Sequence, residues 1–425
     1  MKQAVAASML GALCALLPAQ TGAYGEPEPA GTRAPEPREM RPPPRFAEFG
    51  IDVSASAANN LLSLPALFPA GGVILLDLPR IAERLKELDF GSAFSAGLSF
   101  SLNAGRFLRV GTASTLYGGG SLAFGHDLLE ALAHGNAGGG ASGTAKAYGS
   151  VFADTSLSAT HFFAPPAPFK AVGVRLTPSV FFPLLYVEPG SGASFKVISD
   201  DDNGTLKANG EYDISVYTPF SLENPDPATI FSAPGADFSL YAEYPLREDL
   251  CVALTLAHIP LKAAMLNYET RFSGTFAMNP RDLLQEGLPS LGDLHSDSKT
   301  EYGDGDARKK VRRPFKMSAE AAYRPGGKWF SLYPALGFAA DTPFYFEYRL
   351  AANARLPADW VDFTAASNCT DRAFAQELGV RFNLRVFELS LAVSSRSQSF
   401  LQSFALHGLG ASVGIRAGSP LPEYK

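Results

Sequence analysis

The chain has 425 residues, of which 18% are charged and 46% apolar, with a formal net charge of −6. That balance excludes a nucleic-acid binder with a basic face, and a mean hydropathy of +0.02, without a spanning apolar run beyond the N-terminus, excludes a bundle of membrane helices. Three cysteines, at 14, 251 and 369, exclude a disulfide scaffold, and Val, Ile, Leu and Phe spread along the chain exclude disorder. What remains is a low-charge chain with 40 Gly and 31 Phe against 2 Trp, a composition that points to β structure.

The N-terminus reads as an export signal. Lys2 supplies the positive end, Met9 to Leu17 a short apolar run, and Thr21-Gly22-Ala23 small residues at a cleavage point, so residues 1–23 are expected to be removed. Cys14 invites a lipoprotein reading, but the bulky Leu13 before it favours ordinary signal cleavage. The mature chain then keeps Cys251 and Cys369, read as two lone thiols. Residues 24–44 carry Pro at 27, 29, 35, 37, 42, 43 and 44 among Glu and Arg. Such a segment buries no core and reads as an extended, Pro-rich periplasmic linker.

From Arg45 onward the signal is mostly period two. A weaker strand candidate at 45–57 comes first. Pro79 to Asp89, apolar at Ile81, Ala82, Leu85 and Leu88, predicts a short amphipathic helix with Pro in its first turn. In 94–103, Phe94, Ala96, Leu98, Phe100 and Leu102 alternate with Ser95, Gly97, Ser99, Ser101 and Asn103. Weaker strands follow at 106–116 and 145–162, around a second short helix at His126 to His134 and the Gly-rich run 135–143. Others lie at 170–182, 193–199, 206–217, 235–245, 250–258 and 265–277. Residues 278–312 read as a turn of helix at Arg281 to Glu286 and a polar tail, before weaker strands at 313–324 and 330–340. Clear alternation returns at 346–356, 378–385 and 387–394. It ends in 405–416, where Ala405, Leu409, Ala411, Val413 and Ile415 oppose Gly408, Gly410, Ser412, Gly414 and Arg416.

Strands of about 9–11 residues, apolar on one face, are what a membrane barrel requires. In lipid every backbone donor must be paired, so the sheet must close on itself. A soluble sandwich or propeller also alternates, but sets Lys and Glu outward. Here the polar face is Ser, Gly, Asn and Thr behind an export signal. The fold class is therefore all-β, an antiparallel transmembrane β-barrel.

Signals for chemistry are sparse. The glycines of 408–414 alternate within a strand and read as room for crowded neighbours inside a barrel, not as a phosphate loop leading into a helix. Asp200-Asp201-Asp202-Asn203-Gly204 fails calcium-loop spacing and fits a tight hairpin turn. The histidines at 126, 134, 161, 258, 295 and 407 include no zinc pair at helical spacing. A Gly-x-Ser-x-Gly elbow is absent. No catalytic residue, metal set or cofactor is expected, and the chain does not read as an enzyme. The basic run Arg308, Lys309, Lys310, Arg312 and Arg313 is balanced by Asp293, Asp297, Glu301, Asp304 and Asp306 upstream. It reads as a solvated loop base ahead of a lipid-phosphate contact. The polar face carries Arg175, Glu243, Glu320, Glu347, Arg349, Arg381, Arg385 and Glu388, expected inside the barrel and paired across it.

Several segments, taken in order, resemble one family. They are Phe49-Gly50-Ile51-Asp52-Val53 through Ala58-Asn59-Asn60, Glu243-Tyr244-Pro245-Leu246, His258-Ile259-Pro260-Leu261, Arg313-Pro314-Phe315-Lys316, Asn383-Leu384-Arg385-Val386-Phe387-Glu388-Leu389 and the final Gly-rich strand. Over about 45–418 the chain resembles the FadL-type long-chain fatty acid transporters, and more narrowly the treponemal FadL-like outer-membrane proteins. Asn60-Leu61-Leu62 stands where that family has an Asn-Pro-Ala element.

The resemblance implies about 14 strands and a small N-terminal helical hatch. Division of the chain then follows: hatch at 45–90, with room for a first strand, barrel at 91–418, and a tail at 419–425. Leu61, Leu62, Leu64, Leu67 and Phe68 form the expected apolar plug and ligand site. Pro178 lacks an N–H for the ladder and is expected at a bulge or a local opening in the wall, the family releasing ligand through a kinked strand. The implied function is passive uptake of long-chain fatty acids or other hydrophobic molecules across an outer membrane. A general diffusion porin and a surface adhesin anchored by its barrel are the rivals. Expected partners are fatty acids, outer-membrane lipids and the barrel-assembly machinery, with no nucleic acid.

Overall fold

The computed structural model describes residues 45–420, apart from 62, 64–77, 86, 105–107, 128–129, 131–140, 164–171, 189–190, 201–204, 248, 279–297, 304–306, 326–328, 341–344, 357–359, 371–372 and 385. The strands are β1 (Arg45–Asn59), β2 (Glu87–Ala104), β3 (Leu108–Gly125), β4 (Ala141–Phe163), β5 (Val172–Val187), β6 (Gly192–Asp200) and β7 (Thr205–Thr218). They continue with β8 (Gly235–Pro245), β9 (Leu250–Lys262), β10 (Ala264–Leu266), β11 (Tyr268–Met278), β12 (Ser298–Tyr302), β13 (Lys309–Val311) and β14 (Phe315–Tyr323). The last six are β15 (Phe330–Ala340), β16 (Tyr345–Arg355), β17 (Val361–Thr370), β18 (Ala373–Leu384), β19 (Phe387–Ser397) and β20 (Gly408–Pro420). One short helix, α1 (Leu78–Arg84), stands between β1 and β2.

The sheet closes because its first and last long strands pair. β1 lies between β20 and β2, with Val53 opposite Val413 on one side and Ala96 on the other. Antiparallel ladders run from β2 through β5. They pass to β8 and β9, cross to β14 and return through β15 to β20 in chain order. Closure leaves this wall no unpaired edge, the condition for crossing lipid.

Arg45 and Pro420 sit side by side at one end, where the connections between β2 and β3, β8 and β9, and β18 and β19 are short. The opposite end carries the long connections, including 60–86 and 263–314. In bacterial barrels both ends of the chain are periplasmic and long loops are external, which makes the end where β9 leaves the wall and β14 rejoins it the external one.

On that outer side, further strands stack above the wall. The start of β4 pairs with β6, in line with β5, β7 pairs with β6 and the end of β5, and β11 and β12 follow. The whole sheet has 18 strands among the described residues: fourteen form the closed ring just traced, and β6, β7, β11 and β12 add to it on the outer side. Alternation alone does not show that β6, β7, β11 and β12 raise a lip above the wall. In that lip Arg271 donates to Asp213 Oδ1 at 2.7 Å, and this bond holds the Asp213 carboxyl below the ordinary carboxylate range.

The two faces of the wall separate as the alternation predicts. Outward positions include Phe49, Leu98, Phe346, Leu378, Val393 and Val413, all exposed. Inward positions are small or polar. A Cβ on Gly410 would come within 2.5 Å of Ser394 Oγ, and one on Gly414 within 2.6 Å of Asp52 Oδ1, so these glycines make room inside the barrel.

Three boundaries differ from expectation. The 45–57 stretch, a strand candidate grouped with the hatch, is wall strand β1 and runs on to Asn59. α1 stops at Arg84 because β2 starts at Glu87 and pairs with Gly125. Residues 405–407, read as the start of the last strand, belong to the connection before β20. The helical turn expected at Arg281 to Glu286 and the tail beyond 420 lie outside the described residues. Cys251 and Cys369 are both buried, and no disulfide joins them.

Candidate functional site: an arginine-anchored strap in the lumen

After β9 the chain folds back against the inside of the wall. β10 and β13 pair with each other, Ala264 opposite Val311 and Leu266 opposite Lys309, as a ribbon separate from the large sheet. Ala264 and Leu266 are fully buried, and Val311 nearly so. They pack on Tyr117 of β3, Phe152 of β4 and Phe181 of β5, with Tyr217 of β7 closing the cluster. The wall residues face inward by parity: Leu116, Leu157 and Val180 are exposed on the other face. Tyr117 stacks on Phe152 with ring centroids 5.7 Å apart, and Phe152 meets Phe181 at 6.1 Å.

Arg313, two residues beyond β13, fastens this strap. Its side chain is 1% exposed. It donates to Asp154 Oδ2 of β4 at 2.5 Å, to the Tyr117 hydroxyl at 3.2 Å, to Ser179 Oγ of β5 and to both carboxylate oxygens of Asp237 on β8. The guanidinium also lies 4.9 Å from the centre of the Phe181 ring. Four wall strands are thus tied to one side chain. An arginine fits because its planar fork serves several acceptors at once. Removing one partner of such a buried set is costly, since the remaining charges stay desolvated.

β9 bends to complete the arrangement. His258 adopts φ 55°, a left-handed conformation uncommon outside glycine. The β8–β9 register shifts beside it, between Phe238 and Leu240. His258 N donates to Ser239 Oγ at 3.2 Å, and the ring comes to Asp237, Nδ1 to Oδ2 at 3.5 Å. A bulge of this kind re-aims one side chain without breaking the wall. Nearer the lip, Lys309 pairs with Glu188 and lies 5.2 Å from the centre of the Tyr217 ring.

The basic run therefore divides. Arg308, Lys310 and Arg312 are exposed, as read from sequence, whereas Arg313 is buried and Lys309 half-buried in ion pairs. A local signal existed: Val311 and Arg313 share a face by period two and lead into strand β14. Asp154 and Asp237 were missed too, although both interrupt Ser- and Ala-rich strand patterns at inward positions.

The expected lumen charges among the described residues lie at inward positions by parity and are distributed around the wall. Lys316 pairs with Glu347 at 3.1 Å and Arg349 with Glu377 at 3.8 Å. Asp362 holds both Arg355, at 2.8 Å, and Arg381. Tyr241 donates to Glu243 Oε2 at 2.6 Å, and Arg175 lies 4.9 Å from the Tyr241 ring centre. Glu388 is buried. Arg385 lies outside the described residues.

Of the expected hatch ligands, Leu61 packs with Ala82, Leu88 and Phe124 at the outer rim, away from the strap. Leu62, Leu64, Leu67 and Phe68 lie outside the described residues. Pro178 faces outward and is exposed. Its ladder to β8 is unbroken, with Phe238 opposite. On the β4 side pairing passes from Ser156–Ser179 to Ala159–Leu176 without a change of register. Pro178 thus marks a gap in one ladder. The bulge of that pair lies elsewhere, between Val151 and Phe152.

No protein-family model matches the sequence, and no curated protein matches it. Among solved structures the chain is similar to the Ralstonia pickettii toluene transporter TbuX, with 8% identity over 88% of this chain and 90% of that one and a TM-score of 0.47. It is similar to the P. putida toluene transporter TodX, with 8% identity, the same coverage and a TM-score of 0.44. The monoaromatic hydrocarbon channel CymD shows 10% identity over 88% of both chains and a TM-score of 0.41.

Proposed function

We propose that the protein is a passive outer-membrane channel for hydrophobic molecules, with long-chain fatty acids as the substrates its resemblance to the FadL-type transporters implies. The observation that carries this reading is the apolar block of Tyr117, Phe152, Phe181, Leu266 and Val311 inside a closed barrel. A water-filled pore gains nothing from a buried aromatic cluster in its lumen, whereas a hydrophobic solute can exchange contacts with one. No energy source is required, because partition between two membranes supplies the gradient. Export with removal of residues 1–23 and insertion by the barrel-assembly machinery belong to the same proposal.

The paired charges from β14 to β18 favour one rival, a diffusion porin for small polar solutes. Proteoliposomes separate the two. A hydrophobic-solute channel admits a fluorescent long-chain fatty acid faster than protein-free vesicles do, and swells little in small sugars. Rapid sugar swelling with no gain in fatty acid entry overturns it in favour of the porin.

Exit through the wall at Pro178 is part of the proposal. Its support is the gap in the β4–β5 ladder, where Leu157 and Pro178 face one another unpaired.

A further inference from the structure

The connection between β19 and β20, residues 398–407, folds down over the outside of the barrel. Its direction follows from parity. On β18 the exposed Leu378 marks the outward face, which Phe374 and Gln376 share. On β19 the exposed Leu391 and Val393 mark the face that holds Ser395 and Ser397. The connection bonds to those outward groups. Gln376 Nε2 donates to Ser403 Oγ at 2.9 Å, Ser397 Oγ to Gln402 Oε1 at 3.2 Å, and Leu406 N to Ser395 Oγ at 3.1 Å. Ser397 and Ser403 end fully buried between the connection and the wall. Leu406, at φ 55°, turns the chain back into β20.

The outer surface of this flap is apolar. Leu401 is 78% exposed and Phe404 61%. The rings continue a row along the outside of the wall: Tyr348 to Phe374 at 6.2 Å, Phe374 to Phe400 at 5.8 Å and Phe400 to Phe404 at 5.4 Å. The polar outward patch at Gln376, Ser395 and Ser397 would face hydrocarbon if bare. Covering it converts that patch into more of the apolar band. We infer that residues 398–407 form a lipid-contacting flap, with Phe400, Leu401 and Phe404 seated among the acyl chains of the outer leaflet. Continuity with the lipid-facing band identifies the occupant as bilayer lipid, and aromatic side chains are favoured at that depth.

The test uses the full-length protein folded into phosphatidylcholine vesicles. Cys251 and Cys369 are replaced by Ala, and a bimane label is placed on Leu401→Cys or, separately, on Phe404→Cys. Glu223→Cys, on an exposed loop, is the aqueous control, and heat-modifiable migration checks folding of each variant. Nitroxide-labelled lipids are expected to quench the flap labels at least threefold more than the control, and aqueous iodide at least threefold less. Iodide quenching equal to the control overturns the inference. So does shielding from both quenchers together with Leu401→Cys cross-linking between copies, which makes the flap a contact between barrels. Two flap positions keep the result readable if one label disturbs the fold.

Discussion

Arg313 and Asp237 meet as a fork on a fork: Nε reaches Oδ2 at 2.7 Å and Nη2 reaches Oδ1 at 2.7 Å, across 76 residues of sequence. Paired donors on paired acceptors fix both position and plane, so the strap is held at a defined height on the wall.

Arg313→Met leaves Asp154 and Asp237 buried without their guanidinium. Loss of one side of such a set costs about 3–5 kcal/mol. The urea midpoint of the barrel is expected to fall, and sugar swelling to rise as the strap loosens. Adding Asp154→Asn and Asp237→Asn should recover most of the midpoint. An unchanged midpoint in the single variant denies the strap its anchor.

Gly235 lies opposite Phe181, and a Cβ there would collide with the ring that carries Arg313. Phe181 is 1% exposed and has no room to retreat. Gly235→Ala should cost about 1–3 kcal/mol, as overpacking of a filled core does. Denaturant titration reads this directly, and a neutral result means that β8 can shift.

Val413→Arg should harm assembly far more than Ser412→Arg. Val413 faces outward at 43% exposure, while Ser412 lies on the lumen face between Ser54 and Ala392. Arg on the lipid face near the midplane costs about 2–4 kcal/mol. Comparing folded fractions on unboiled gels tests this, and equal tolerance would reverse the facing of β20.

Position 178 can be locked with a disulfide from Leu157→Cys and Pro178→Cys in a background lacking Cys251 and Cys369. Fatty acid entry should stop while the barrel stays heat-modifiable, and return on reduction. Entry unchanged by oxidation takes Pro178 off the exit path.

The wall was legible because its physics is local: lipid on one side and small side chains on the other impose period two on each strand. Phe346, Leu350, Leu378 and Val413 stand on the faces their spacing predicts. The strap was not legible, because it depends on partners distant in sequence. Nothing near Arg313 tells that Asp154 and Asp237 await it, and a run of basic residues beside acidic ones reads as surface. β1 was read as a weak strand candidate and still grouped with the hatch, for a related reason. Its pattern is weaker than that of its neighbours, and its place depends on β20, at the far end of the chain.

The β1–β20 seam constrains how the molecule can be made. Strand one cannot find its second neighbour until the final strand has been synthesised, so no nascent fragment is a finished wall. Every earlier stage exposes two ladder edges that invite pairing with other chains, and the contact that closes them has the longest sequence separation in the sheet, a slow class of event. The longer the chain waits for that last contact, the longer both edges stay open.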